Sequence, residues 1–366
     1  MTRKPLRVLV VDDSAVVREV MLAVLSTAGG MTVTCAADPI IARRRIAQER
    51  PDVIVLDLEM PREDGITFLK DLMSSDPIPV VICSSHSTEG SREALEALRE
   101  GAVDVVAKPQ LRVREFVKES AVLLADAVRA AAKARARPRS TARVAVQPVI
   151  RQPRLEAGKP SERVIAIAAS TGGPQAIEQV LTHLPASAPG IVVVQHMPAG
   201  FTTAFAKYLD SACELRVKEA QDGELIVDGC VLIAPGDHHL LVRRQHGRLV
   251  AHVTAGPLVS RHRPSADVLF ESVAQVGGSA ALGVIMTGMG GDGAKGLAAM
   301  RAAGAATLAQ DQATCVVFGM PKEAMAKNAV QEIVPLGGIA DRIKRWYALD
   351  NNGRKGEGDE LHRIAV

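Results

Sequence analysis

Three polar residues in the second half of the chain stand where apolar runs break off. Ser170 follows residues 164–169 and heads the turn Ser170-Thr171-Gly172-Gly173. His196 comes after 190–194 and Gln195, and Asp292 lies in Thr287-Gly288-Met289-Gly290-Gly291-Asp292-Gly293, after 282–286. A serine hydroxyl is a poor nucleophile until a base takes its proton. An imidazole does that, and a carboxylate behind it fixes the tautomer and stabilises the imidazolium. Ser170, His196 and Asp292 are therefore candidates for a nucleophilic triad, recognised by geometry and not by chain order. Each has a plainer use taken alone. A Ser-Thr-Gly-Gly turn also caps helices or cradles phosphate, and a lone aspartate is a good helix cap. His238, His239, His246, His252 and His262 offer further imidazoles, but no zinc-like spacing completes a metal site among them.

The first half carries a different chemistry. Asp12-Asp13, Asp57, Ser84-Ser85 and Lys108-Pro109 each end an apolar run, at 6–11, 53–56, 80–83 and 103–107. Three clustered carboxylates repel one another unless a cation joins them, and hard oxygen ligands suit Mg²⁺. A carboxylate beside a metal and a lysine is a nucleophile suited to a phosphoryl group, because both cations offset the charge developing on its oxygens.

These positions require strands whose carboxyl ends share one edge. Apolar, β-branched runs of four to six residues alternate with helical patterns, such as 14–27 with Val17, Met21, Val24 and Leu25 on one face. Such alternation defines βα units and parallel sheets. In the second half, strands are expected at 164–169, 190–194, 225–234, 240–253, 282–286 and 305–309, with helices from Pro174, over 201–209 and 267–276, and from Ala294. Proline suits a first helical position, where its missing N–H has no partner to lose. Serine at a strand's carboxyl end, in a glycine turn opening a helix, is placed where α/β sheets collect ligands. Residues 131–162 interleave arginine and lysine with alanine and the prolines 138, 148, 153 and 160, and read as a flexible basic tether.

One competing motif stays open on the residues alone. Gly288–Gly293 matches GxGxxG between a strand and a helix, and Asp311 ends the next strand, where a ribose-binding acid would sit. Against a dinucleotide, Asp292 puts a negative charge where a pyrophosphate would lie.

Composition bounds the remainder. At 366 residues, two domains are expected, and 47% apolar content with 2% aromatic implies aliphatic cores. A net charge of +3 does not demand a nucleic-acid partner, and the basic residues lie in the linker instead of on a recognition helix. Five scattered cysteines without a CxxC pair fit a reducing setting. No signal peptide and no apolar run of membrane-spanning length is present, so a cytoplasmic protein without membrane insertion is expected.

VLVVDDS, VIVLDLEMPREDG, VVICSS and VDVVAKP resemble the receiver domain of two-component response regulators. The resemblance implies Asp57 as phospho-acceptor, Asp12, Asp13 and Asp57 as the Mg²⁺ site, and Ser84 and Lys108 as the switch pair. IAASTGGP, VVQHMPAGFTTAFA, APGDHH, RHRPSADVLFESVA, VIMTGMGGDGAKGLAAM and VVFGMPKEA resemble the catalytic domain of the chemotaxis protein-glutamate methylesterase (CheB) family. That resemblance implies the triad Ser170, His196 and Asp292, with an oxyanion and substrate site near Met289, Thr171 and His262. It also implies hydrolysis of glutamyl γ-methyl esters, and deamidation of glutamines, on methyl-accepting chemoreceptors. A chemotaxis histidine kinase would be the phosphodonor, and the esterase would need no cofactor. The expected architecture is α/β throughout: two doubly wound parallel-sheet domains joined by a flexible linker. A flavodoxin-like receiver takes 1–130, the linker 131–162, and a Rossmann-like esterase domain 163–350, with a disordered tail over 351–366. The sequence departs from the family pattern at Ala168, at Gly291, around Ser84 (Cys83 and His86), and at Tyr208, where an arginine is usual.

Overall fold

The computed structural model describes residues 4–60, 63–85, 87–108, 114–134 and 158–360. Its first sheet joins β1 (Leu6–Val11), β2 (Met31–Ala36), β3 (Val53–Leu56), β4 (Val80–Ser84) and β5 (Asp104–Ala107) in the order β2-β1-β3-β4-β5, all parallel. Helices α1 (Ala15–Thr27), α2 (Pro39–Gln48), α3 (Gly65–Ser75), α4 (Thr88–Arg99) and α5 (Arg114–Ala131) alternate with the strands. The expected strands are present. Strand β2 carries no continuous apolar run, because an edge strand with one wet face alternates (Met-Thr-Val-Thr-Cys-Ala).

The second sheet has seven parallel strands: β6 (Val164–Ala169), β7 (Gly190–Gln195), β8 (Arg216–Glu219), β9 (Cys230–Ile233), β12 (Ala281–Ile285), β13 (Ala306–Gln310) and β14 (Glu332–Val334). Their order is β14-β13-β12-β6-β7-β9-β8. The stretch 240–253, expected as one strand, is a hairpin of β10 (His239–Gln245) and β11 (Arg248–Thr254). His246 (φ 48°) and Gly247 (φ 79°) form its two-residue turn. Positive φ at both positions matches the right-handed twist of the strands, and the asymmetry of a histidine there hid the turn from the sequence.

Helices α6 (Gly173–Leu181), α7 (Phe201–Ala212) and α11 (Leu336–Glu360) cover one face of this sheet, and α8 (Ala266–Gly277), α9 (Ala294–Ala302) and α10 (Met320–Ala326) the other. The alternation within β6 supplies both cores. Ile165 and Ile167 pack with Ile177, Phe201 and Phe205, while Val164, Ala166 and Ala168 pack with Leu269, Phe270 and Leu297. The chain leaves β6 towards β7 on one side, and leaves β12 towards β13 on the other. The crevice between β6 and β12 is thus a topological switch point, flanked by the Ser170 turn and the Asp292 loop.

The boundaries shift at both ends of the second domain. The backbone of Lys159 and Ser161 pairs with Asp228 and Ile226 (2.9 Å each), so the expected linker ends before residue 159. Residues 135–157 lie outside the described residues. Helix α11 runs to Glu360, into the stretch expected to lack structure, because Ile339 and Ile343 anchor its first turns and no proline stops it.

Phe270 is fully buried where α8 meets α9 and the sheet. Phe270→Ala is expected to lower the stability of this domain by about 3–5 kcal/mol. Its urea unfolding midpoint, compared with that of wild type, checks this.

Candidate active site and acidic pocket

Asp292 sits beyond β12, against the amino end of α8. Its Oδ1 accepts hydrogen bonds from Ser265 Oγ (2.7 Å) and the Asp267 N–H (3.0 Å). Its Oδ2 accepts from the Ala266 N–H (2.7 Å) and His196 Nε2 (2.8 Å). Ser265 also caps α8 through the Val268 N–H (3.4 Å). The free N–H groups of a helix start carry partial positive charge, so the position suits an anion. Burial alone would raise the Asp292 carboxyl, but the bond and charge of His196, with the Ser265 and Ala266 donors, hold it down at about 2. It stays ionised.

His196 follows β7 and is nearly enclosed. With Nε2 committed to Asp292, the ring nitrogen left to take a proton is Nδ1, which is buried and has no hydrogen-bond partner. His262 stacks on His196 with ring centres 3.8 Å apart and planes 11° apart. Its Nδ1 donates to the Ser260 carbonyl (2.7 Å), and burial, then the neighbouring His196, push its pKa down to about 3. It therefore packs as a neutral ring. The ligating atoms of His196, His262 and Asp292 lie within 4.8 Å of one another. Even so, Asp292 already has four donors, and stacked rings direct their lone pairs in parallel planes instead of at one point. The trio fits a positioned base better than a metal centre.

Ser170 ends β6 beside His196, since Ala169 and Gln195 are partners in the β6–β7 register. Its N–H donates to Thr287 O (3.0 Å), and its carbonyl accepts from Gln195 Nε2 (2.9 Å) and the Gly173 N–H (2.7 Å). Any side chain at Gly288 would come within 2.7 Å of Ser170 Cβ, so the Asp292 loop needs glycine there. No hydrogen bond joins Ser170 to His196 in this state. The structure thus pairs His196 with Asp292 and stacks His262 on them, with Ser170 one strand away.

Thr171 and Met289 lie on the seam with the first domain. Thr171 Oγ1 donates to Asp104 Oδ2 (2.6 Å), and Met289 packs against the apolar cluster built from β1, β3, β4 and α5. Tyr208 is also at this seam: its hydroxyl bonds Glu178 Oε1 (2.5 Å) and its ring lies under Arg99 of α4 at 4.9 Å. The dinucleotide alternative fails on geometry. The Gly288–Gly293 loop is closed by Gly288 O, which accepts from Gly319 and Met320, and by the donors filling Asp292. Asp311 binds its own turn at the Thr314 N–H (3.0 Å). Sequence reasoning missed Ser265 and Asp104 as site residues. The Ser265-Ala-Asp267 start of a helix was a readable cap signal, whereas nothing local marks Asp104.

In the first domain, Asp12 and Asp57 are buried, Asp13 is exposed, and one oxygen of each lies within 4.8 Å of the others. Lys108 Nζ is 2.6 Å from Asp57 Oδ2 and 3.4 Å from Asp12 Oδ2. Burial raises the Asp57 carboxyl to about 6 despite the bond and charge of Lys108, and burial raises Asp12 as well. Asp12 Oδ2 is buried without a hydrogen-bond partner. One lysine does not neutralise this cluster. Its donors and its orphaned oxygen fit a hard divalent cation. Ser84 Oγ is turned to the Gly90 carbonyl (3.2 Å). The expected cis peptide at Lys108-Pro109 falls outside the described residues.

A sheet of order 2-1-3-4-5 with an acidic pocket at its edge, set against an α/β domain with an oriented base at its switch point, is a two-domain response regulator with an enzymatic output. Residues 8–118 match the response regulator receiver domain model, and 165–343 the CheB methylesterase model. Over 350 residues the chain is 53% identical to protein-glutamate methylesterase/protein-glutamine glutaminase 5 of Anaeromyxobacter dehalogenans, covering 93% of this chain and 97% of that protein. It is 51% identical over 354 residues to the corresponding protein 3 of Rhodopseudomonas palustris, covering 94% and 97%. The chain belongs to the protein-glutamate methylesterase/protein-glutamine glutaminase family. Among its described residues no helix is long and apolar enough to cross a membrane.

Two outcomes follow from these electrostatics. Ser265→Ala removes one donor from a buried carboxylate, a loss of about 1–3 kcal/mol. An approximately tenfold or greater fall in kcat, restored by Ser265→Thr, is expected in a steady-state ester hydrolysis assay. Asp57 has a folded pKa above its unfolded one, so the folded state keeps a proton that the unfolded chain releases. That contribution is present below about pH 4 and lost as pH rises through 6. At pH 7.5 without divalent cation, Asp57→Asn is therefore expected to raise the receiver's melting temperature by several degrees, about 4–8 °C for each kcal/mol regained. Calorimetry at both pH values checks the sign, with a smaller gain expected at pH 4.5.

Proposed function

We propose that the chain is a phosphorylation-controlled serine hydrolase acting on glutamyl γ-methyl esters, and on glutamine side-chain amides, of methyl-accepting chemoreceptors. The observation that carries this reading is the His196–Asp292 pair, which leaves Nδ1 of a buried imidazole free beside the strand that ends in Ser170. Nδ1 takes the Ser170 proton as Oγ attacks the ester carbonyl. Asp292 stabilises the resulting imidazolium, and donors around Met289 and Thr171 receive the oxyanion. Methanol leaves with the proton from His196. Water, deprotonated by the same imidazole, then attacks the acyl-serine and releases glutamate and free Ser170. An amide substrate follows the same path with ammonia as the leaving group. His262, a neutral ring against His196, shields the base from water and limits its rotation.

In the receiver, Asp57 is the phosphoryl acceptor and a chemotaxis histidine kinase the donor. Asp12, Asp13 and Asp57 would hold Mg²⁺, which when bound supplies charge neutralisation to the incoming phosphoryl group. Lys108 holds the Asp57 carboxylate in place, and Ser84 waits within the same strand-end cluster. The protein would act in the cytoplasm, where receptors present their modified helices. The receiver restrains the esterase: it lies across Thr171 and Gly172, and phosphorylation of Asp57 loosens that contact. Family membership supports the activity, and the pairing of an acidic pocket with an esterase domain supports its control.

The test is methanol release from methylated receptor, with and without a small phosphodonor and Mg²⁺. Ser170→Ala is expected to abolish release, and Asp57→Asn to keep the basal rate but lose its stimulation. Release that survives in Ser170→Ala would remove the serine mechanism.

A further inference from the structure

We infer that Gln195 is a positioning residue of the esterase: its side-chain amide ties the carbonyls of Ser170 and His196 together and so aims the Thr171 N–H at the oxyanion. The inference rests on the serine mechanism proposed above and adds the group that sets its geometry.

The ladder between β6 and β7 ends at the His196 N–H, which donates to Ala169 O (3.2 Å). Past that point the Gln195 amide takes over. Its Nε2 donates to Ser170 O (2.9 Å) and to His196 O (3.2 Å), so one NH2 group bridges the peptide after the nucleophile and the peptide after the base. Two carbonyl acceptors need two N–H donors, which fixes the end of the amide that faces them. The side chain is fully buried, on the last residue of β7.

A peptide unit is planar and trans, so its N–H points opposite to its carbonyl. Holding Ser170 O therefore sets the direction of the Thr171 N–H. The Met289 N–H likewise belongs to the unit of Gly288 O, which the Gly319 (3.0 Å) and Met320 (2.9 Å) N–H groups hold. Among the described residues, neither the Thr171 nor the Met289 N–H donates to a protein acceptor. Both are left for a ligand, each aimed by what grips the carbonyl behind it. At Met289 the grip is all backbone. At Thr171 it is the Gly173 N–H (2.7 Å) and the side chain of Gln195.

Two features set this amide apart from packing alone. Its Oε1 is buried without a hydrogen-bond partner, a loss of stability that an apolar side chain would avoid. Room for it also requires glycine at 173, where an added Cβ would fall 2.0 Å from Oε1 and drive the amide away. Catalysis supplies the compensating use. A donor fixed in advance towards a developing oxyanion acts on the transition state and not on the bound ester, so it governs kcat and leaves KM alone.

The experiment measures methanol release from methylated receptor by full-length wild type, Gln195→Met, Gln195→Glu and Ser170→Ala, with the melting temperature of each. Methionine keeps the bulk and removes both the donors and the unpaired oxygen. Gln195→Met is expected to lower kcat about 10- to 100-fold, short of the full loss of an oxyanion donor, at an unchanged KM and with a melting temperature close to that of wild type. An unchanged kcat would overturn the inference. So would a loss carried by KM, or one accompanied by a large fall in melting temperature. Glutamate keeps the shape, offering one O–H donor when protonated and none when ionised. The rate of Gln195→Glu relative to wild type is expected to fall as pH rises from about 6 to about 9. This variant decides the matter should Gln195→Met fail to fold, and a ratio that stays at one across that range would overturn the inference. Release that survives in Ser170→Ala removes the serine mechanism itself, and the inference with it, an outcome distinct from the others.

Discussion

A carboxylate keeps a pKa near 2 in a dry site only where fixed donors replace its water, and Asp292 has four of them. Three come from the start of α8, so the His196 ring is oriented by a helix end as much as by its partner aspartate. That end is held in turn by packing: Phe270 and Leu269 press α8 onto the sheet, and Gly296 lets α9 approach its first turn closely. An added Cβ at Gly296 would lie 2.7 Å from the Asp267 carbonyl. The position of His196 Nδ1 is thus the last term in a chain of contacts running through the core.

The acidic pocket of the receiver is built on the opposite principle. Asp292 is fully satisfied and its pKa falls, whereas Asp12 and Asp57 are buried with too few donors and theirs rise. A satisfied carboxylate is suited to a constant role beside a base. An under-satisfied cluster stores unfavourable energy that a cation or a phosphoryl group relieves or rearranges, which suits a switch. The two halves of the chain differ in this respect more than in architecture, since both place their polar residues at the carboxyl edge of a parallel sheet.

Between them, the seam combines hydrogen bonds with apolar contacts shared by both domains. Thr171, Gly172 and Gln175 each bond the segment 98–104, and Met289, Val316 and Val317 pack on the receiver's apolar cluster. Tyr208 stacks beneath Arg99 and so contributes an interdomain contact.

Local sequence by itself determined the apolar strands, the proline- and glycine-marked helix starts, and the polar residue that ends each strand, because these depend on neighbours a few positions away. Ser170, His196, Asp292, Asp12, Asp57 and Lys108 were legible for that reason. The edge strands β2, β8 and β14 were not, since their half-wet faces dilute the apolar signal, and neither was the turn at His246-Gly247. Only the tertiary structure decided which nitrogen of His196 is free, that α8 supplies the donors for Asp292, and that the His262 ring stacks on His196. It alone set Asp104 on Thr171, across 67 positions of chain. The physical reason is that hydrogen bonds and desolvation depend on distance in space, which a chain fixes only once its sheets have closed.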